Sequence, residues 1–269
     1  MTRKAALAAF TALSLAACAG TPPAPTAERI YVMDCGQNSA SDQSRWSPGV
    51  NVGVPFVLSD NCYAIRHAKG TLLWDTGYPD ALTGRTQTGP TGTATRARSL
   101  ADQLAEIGLK PADIGAVGIS HTHGDHVGNV AMFAGARILI QRAEYDWAFG
   151  PGRTRPFPAD VKVEKLDGDL DVFGDGSVVI LSTPGHTPGH QSLRVRLART
   201  GTIVLSGDAV HFRDNWDNRR VPAQNADADA TRASMARIDA AVKAENGTLW
   251  INHDLPQSRS QRRSPAFYD

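Results

Sequence analysis

Ser120-His121-Thr122-His123-Gly124-Asp125-His126 is the stretch on which the reading of this chain turns. It completes Ala116-Val117-Gly118-Ile119-Ser120, a short apolar run of the buried-strand type. Four side chains able to bind a metal therefore fall within six residues. A compact turn at a strand end can aim them into one volume. The chain holds eight histidines, so three within six positions is not the pattern of a chance polar loop. Imidazole and carboxylate together suit zinc and similar divalent ions.

The arrangement recurs downstream. Thr183-Pro184-Gly185-His186-Thr187-Pro188-Gly189-His190 follows the β-prone Val178-Val179-Ile180-Leu181. Ser206-Gly207-Asp208 follows Thr202-Ile203-Val204-Leu205, and Asn252-His253-Asp254 ends the run from Thr248. Each group sits at a strand end, where ligands tend to converge on one edge of a sheet. The sum is six imidazoles and two carboxylates. One tetrahedral zinc shell takes four ligands, so the surplus points to a two-metal site.

The remaining chain reads as one mixed α/β domain. Strands are predicted at Ile30–Met33, Val54–Leu58, Cys62–Arg66, Thr71–Trp74, Ala136–Gln141 and Ser192–Leu197, with a hairpin turn at Lys69-Gly70. Ser99 as N-cap and Asp102 in the first turn open a helix whose inner face is Leu100, Leu104 and Ile107. Gly108 and Pro111 stop it. Further helices are predicted at Gln141–Phe149 and Asp229–Lys243, the second with Met235, Ile238 and Val242 inside. Gly77–Arg98, rich in Gly, Thr and Pro, reads as a long mobile loop.

Composition narrows the function. Across 269 residues, 28 Lys+Arg against 27 Asp+Glu leave a net charge of +1. A protein held to nucleic acid by phosphate neutralisation shows a basic excess, so no nucleic-acid partner is expected. At 41% hydrophobic and 20% charged, the chain is globular rather than disordered or multi-spanning.

The first residues read as an address. Arg3 and Lys4 precede an apolar, Ala-rich run over residues 5–17, the form of a secretory signal peptide. Leu15-Ala16-Ala17-Cys18 resembles a bacterial lipobox, which implies a lipidated Cys18 as the mature N-terminus and attachment to a membrane. Residues 18–28 then form a Pro- and Thr-rich spacer, and residues 29–269 the folded domain. Ala19 after Cys18 favours the periplasmic side of the outer membrane. Cys35 and Cys62 could pair in that oxidising compartment. Two buried free thiols on neighbouring strands are the expectation adopted here.

The H-x-H-x-D-H run, the Gly-His, the Gly-Asp and the final His resemble the metallo-β-lactamase superfamily. Within it, the TPGHTPGHQSL segment and the closing NHD are most similar to the N-acyl-homoserine lactonases. The resemblance implies a single-domain αββα sandwich. It implies two divalent ions, zinc or else iron, cobalt or manganese. His121, His123 and His186 would bind one, Asp125, His126 and His253 the other, and Asp208 both. His190 and Asp75 are expected to support ligands rather than bind.

The implied reaction is hydrolytic opening of a lactone. Two cations about 3.5–4 Å apart share a bridging water and lower its pKa. Asp125 would shuttle the proton. The lactonases commonly carry a tyrosine three positions after the bridging Asp; here His211 stands there, as a candidate donor to the substrate carbonyl or a further reach to a metal. Phe212, Trp216, Trp147 and Phe149 are candidates for an apolar acyl pocket. The alternatives on the same site are a periplasmic β-lactamase and an ester, thioester or small phosphodiester hydrolase.

Overall fold

The computed structural model describes residue 1, residues 24–90 and residues 92–269. Apart from Met1, the signal-peptide and Cys18 lipidation expectations lie outside the described residues.

Two sheets form the centre. The first has eight strands: β1 (Arg29–Ala40), β2 (Phe56–His67), β3 (Gly70–Trp74), β4 (Thr86–Gly89), β5 (Gly92–Thr95), β6 (Ala116–Gly118), β7 (Arg137–Gln141) and β8 (Lys162–Leu166), in the spatial order 4-5-1-2-3-6-7-8. The second holds β9 (Leu170–Asp171), β10 (Val178–Ser182), β11 (Gln191–Leu197), β12 (Gly201–Leu205) and β13 (Thr248–Trp250), in the order 13-12-11-10-9. Helices are α1 (Leu100–Glu106), α2 (Gly124–Val127), α3 (Arg142–Ala148), α4 (Arg213–Asn218), α5 (Ala228–Ala244) and α6 (Leu255–Ser260).

Strand alternation builds the layers. Ile30 and Val32 of β1 face the second sheet, packing with Ile180, Leu193, Val195 and Ile203. Tyr31 and Met33 point the other way, onto Leu100 and Leu104 of α1. A period of two with both faces apolar demands cover on both sides. Met235 and Ile238 of α5 supply it for the second sheet, against Val204, Leu249 and Ile251. Burying each such side chain contributes roughly 1.5–3 kcal/mol. The result is the expected helix–sheet–sheet–helix sandwich.

Three local expectations change. The segment 77–98 is not a bare loop: it contains a 3-10 turn (Asp80–Leu82) and the β4–β5 hairpin, which pairs with β1. Polar side chains stabilise it, because Asp80 accepts the Leu100 and Ala101 amides opening α1 and also meets the buried Arg96 guanidinium. The two β-prone runs around residue 60 form one continuous strand, β2, paired along β1 with a bulge between Asp34 and Gly36. Cys35 and Cys62 are not free thiols but a disulfide joining those strands, with Cα atoms 5.7 Å apart. Ordered packing also reaches back to Ala27, whose amide donates to Arg196 of β11.

Candidate metal centre

Strand direction brings the site together. β10 and β12 both run antiparallel to β11, and β13 runs parallel to β12. Their C-terminal ends therefore share one edge of the second sheet, where His186, Asp208 and His253 follow. The β6 end of the first sheet delivers His121, His123, Asp125 and His126 to the same edge, the last two in α2.

The donor atoms form two sets. His121 Nε2 lies 2.9 Å from His123 Nδ1, and His186 Nε2 lies 3.1 Å from that same atom. Asp208 Oδ2 is 3.7 Å from His121 Nε2 and 3.5 Å from His186 Nε2. Nitrogens 2.0–2.1 Å from a tetrahedral zinc stand about 3.3 Å apart, so these spacings fit one ion. In the second set His126 Nε2 is 3.8 Å from Asp125 Oδ1, and His253 Nε2 is 3.8 Å from Asp125 Oδ2. Asp208 Oδ1 lies 3.4 Å from His126 Nε2 and 3.1 Å from His253 Nε2. His126 Nε2 and Asp208 Oδ1 are buried with no hydrogen-bond partner. Two such orphans aimed at one point fit a missing cation better than any protein contact. The structure thus gathers all seven side chains assigned to the metals, in one group of His121, His123, His186 and Asp208 and another of Asp125, His126 and His253, while a third group of Asp208, His211 and His253 lies between them.

A surrounding layer aims these donors. Asp75 accepts the Ser120 amide at 2.7 Å through one oxygen and meets His126 Nδ1 at 3.0 Å through the other. His253 Nδ1 bonds the Ser59 carbonyl of β2 at 2.6 Å. His190 is not among the donors: its Nδ1 meets the Thr183 carbonyl, and its Nε2 accepts the Asp208 amide at 2.9 Å. Burial lowers the His190 imidazole to about 4, so it stays neutral and can accept. Glu144, absent from the sequence-based assignment, is fully buried. It accepts from Thr122 N, Thr122 Oγ1 and Gly189 N, tying two ligand loops together. Its signal in the sequence is only an acid on a short helix, which names no partner. A Cβ at Gly189 would come within 2.2 Å of the Glu144 nitrogen, so that close approach requires glycine.

Charge is unevenly shared. Burial lowers His121 and His186 well below the ordinary imidazole range. Burial acts on His126 and His253 too, but Asp208 and Asp125 outweigh it, raising His126 well above its usual value and His253 to about 9. Burial pushes Asp208 up, yet His253, His126, His211 and His121 around it hold its carboxyl well below the usual range. His211 lies inside this cluster, its Nε2 3.2 Å from Asp208 Oδ2.

A cleft of about 590 Å³ opens over the donors. Of the expected aromatic wall only Trp147 lines it, joined by Trp46, Leu58 and Tyr78. Phe212 packs instead with Ala40 and Leu58, Trp216 under α5, and Phe149 against Tyr145. These three sit on apolar faces that must be covered before any ligand arrives.

Residues 56–250 match the metallo-β-lactamase superfamily. The N-acyl homoserine lactonase AttM of Rhizobium radiobacter is 33% identical over 179 residues, 62% of this chain and 68% of that protein. An N-acyl homoserine lactonase of a Bacillus species is 28% identical over 255 residues, 90% of this chain and 99% of that one. A solved structure of an N-acyl homoserine lactone hydrolase, with the product N-hexanoyl-L-homoserine at its catalytic metal centre, superimposes with a TM-score of 0.80. It shares 27% identity and covers 91% of this chain and 100% of that one.

Proposed function

The chain belongs to the metallo-β-lactamase superfamily, and we propose that it hydrolyses N-acyl homoserine lactones or close relatives to the ring-opened hydroxy acids. The observation that carries this reading is the pair of donor sets beneath a cleft, with Asp208 within reach of both, in a chain aligned with 99% of a lactonase's length. Two divalent ions there, zinc by donor type, would supply a Lewis acid for the carbonyl and would acidify a water toward neutrality.

The protein's own groups do the rest. His121, His123 and His186 would hold one ion, Asp125, His126 and His253 the other, with Asp208 within reach of both. Asp125 lines the cleft beside the second set. It takes the proton of the attacking water and returns it to the departing ring oxygen. His211 also lines the cleft and faces Asp208. It donates a hydrogen bond to the carbonyl oxygen as that oxygen gains charge. Trp46, Leu58 and Trp147 give the acyl chain apolar walls.

Comparing kcat/KM for acyl-homoserine lactones, a β-lactam, a glutathione thioester and an aryl phosphodiester tests the substrate class. The lactones should lead, and a leading β-lactam would overturn the reading.

We also place the protein on the periplasmic side of the outer membrane, anchored through a lipid on Cys18. The Leu15–Cys18 motif and the Cys35–Cys62 disulfide support this, since disulfides persist in oxidising compartments. Labelling with radioactive palmitate in a Gram-negative host should mark the wild type and not Cys18→Ser. Equal labelling of the two would refute the anchor.

A further inference from the structure

Metal-binding imidazoles are ordinarily steered by a hydrogen bond at the ring nitrogen turned away from the ion. The second donor set follows that rule. His126 Nδ1 meets Asp75 Oδ2 at 3.0 Å, and His253 Nδ1 meets the Ser59 carbonyl at 2.6 Å. The first set departs from it. His186 Nδ1 is buried with no hydrogen-bond partner in the protein. His123 is exposed, and among the described residues its ring meets only the ligand nitrogens of His121 and His186. His121 alone of the three has a further neighbour, Ser120 Oγ at 3.2 Å. The rings of His123 and His186 must therefore be aimed by the backbone that carries them.

That backbone converges on one buried side chain, Glu144 of α3. Its Oε1 accepts the Thr122 amide at 2.8 Å and the Thr122 hydroxyl at 2.7 Å, and its Oε2 accepts the Gly189 amide at 3.1 Å. Thr122 stands between His121 and His123, and Gly189 lies in the turn that carries His186. Every partner is a donor, so both oxygens are needed as acceptors. The second set hangs on other elements: besides Asp75 and Ser59, the Thr76 amide donates to the His126 carbonyl at 2.8 Å.

We propose that Glu144 is the positioning residue of the first donor set. By pinning Thr122 and Gly189 it aims His123 and His186, so the affinity for the first ion depends on it and the affinity for the second does not. This rests on the two-ion reading above. Glu144→Gln keeps the size but turns one acceptor into an NH2 group. With the amide oxygen left on the Thr122 donors, that NH2 faces the Gly189 N–H, donor against donor, and the His186 turn is released. The fold has other ties at this point. The Gln191 amide donates to the Ser120 carbonyl at 2.9 Å, and its side chain donates to the Ile119 and Leu139 carbonyls.

The test is Zn²⁺ binding, measured by competition with a chromophoric chelator, in two backgrounds that each keep one donor set whole. In His253→Ala, which keeps the first, adding Glu144→Gln should weaken Zn²⁺ binding about 10–100-fold, the scale for losing a group that orients ligands. In His186→Ala, which keeps the second, the same change should alter affinity less than about threefold. No change in the first background would overturn the assignment. So would losses of similar size in both, which mark general damage to the fold. Should Glu144→Gln fail to fold, Glu144→Asp, one methylene too short to reach both loops, is read in the same backgrounds against the same outcomes. Wild-type protein that takes up fewer than two Zn²⁺ per chain would instead refute the two-ion reading, and this assignment with it.

Discussion

Asp208 carries more of the site than any other residue. Five imidazoles, those of His121, His126, His186, His211 and His253, lie within 3.7 Å of its two oxygens. Its charge favours the protonated form of each, and its two oxygens reach imidazoles of both donor sets. Asp208→Asn preserves size and removes the charge. It should lower bound metal from two ions toward one or none per chain and reduce kcat/KM at least about 10³-fold. Elemental analysis beside kinetics checks this, and near-equal metal and activity in the two proteins would refute the bridging role. At this scale the metal-capable side chains were legible, because H-x-H-x-D-H concentrates donors that have few other uses. Glu144 and Ser59 were not legible. Each acts on a neighbour far away in the chain, Ser59 through its backbone carbonyl, and neither a lone acid nor a main-chain carbonyl carries a spacing signal.

Among the elements, the β1–β2 pair bears directly on the site. It holds Ser59, which orients His253, and it carries the Cys35–Cys62 disulfide across a separation of 27 residues. In the chain-entropy account a loop of that length contributes about 3.5 kcal/mol by constraining the unfolded chain. Reduction should therefore lower the urea midpoint clearly, and Cys35→Ala/Cys62→Ala should show the same loss without reductant. An unchanged midpoint in the double variant would show that the bond adds nothing. Strands with strong periodicity, such as β10 to β12, were readable from their residues. The β4–β5 hairpin was not, because its Gly- and Thr-rich segment has no apolar alternation. It is held by side-chain partners, Asp80 and Arg96 among them, that only the fold supplies.

For the molecule as a whole, metal and stability are coupled through protons. His126 and His253 are raised in the folded metal-free protein, the second to about 9. Raised groups contribute stability that is complete below the unfolded value near 6.5 and lost as pH climbs through the folded value. His121 and His186 are lowered by burial, so their contribution is lost as pH falls below about 6.5. Chelator-treated protein should thus be most stable near pH 6.5 and weaken toward pH 9. Metal replaces the two protons, so loaded protein should lack the alkaline loss, and uptake near pH 8 should acidify a weak buffer. Thermal midpoints across pH, with and without metal, decide the matter. Superimposable profiles would show that these imidazoles do not couple metal to folding.

The sequence alone determined the mixed α/β class, the positions of most strands and the metal-capable residues, and the layered sandwich followed from the family resemblance. The first three rest on short-range periodicity or on donor chemistry that residue types state by themselves. Tertiary structure decided how closely the donors approach one another, that His190 meets the Asp208 amide, that Cys35 meets Cys62, and which aromatic rings face the cleft. Those outcomes depend on strand direction and side-chain facing across sheets, where residues tens of positions apart come within 3–4 Å. No local pattern encodes such distances.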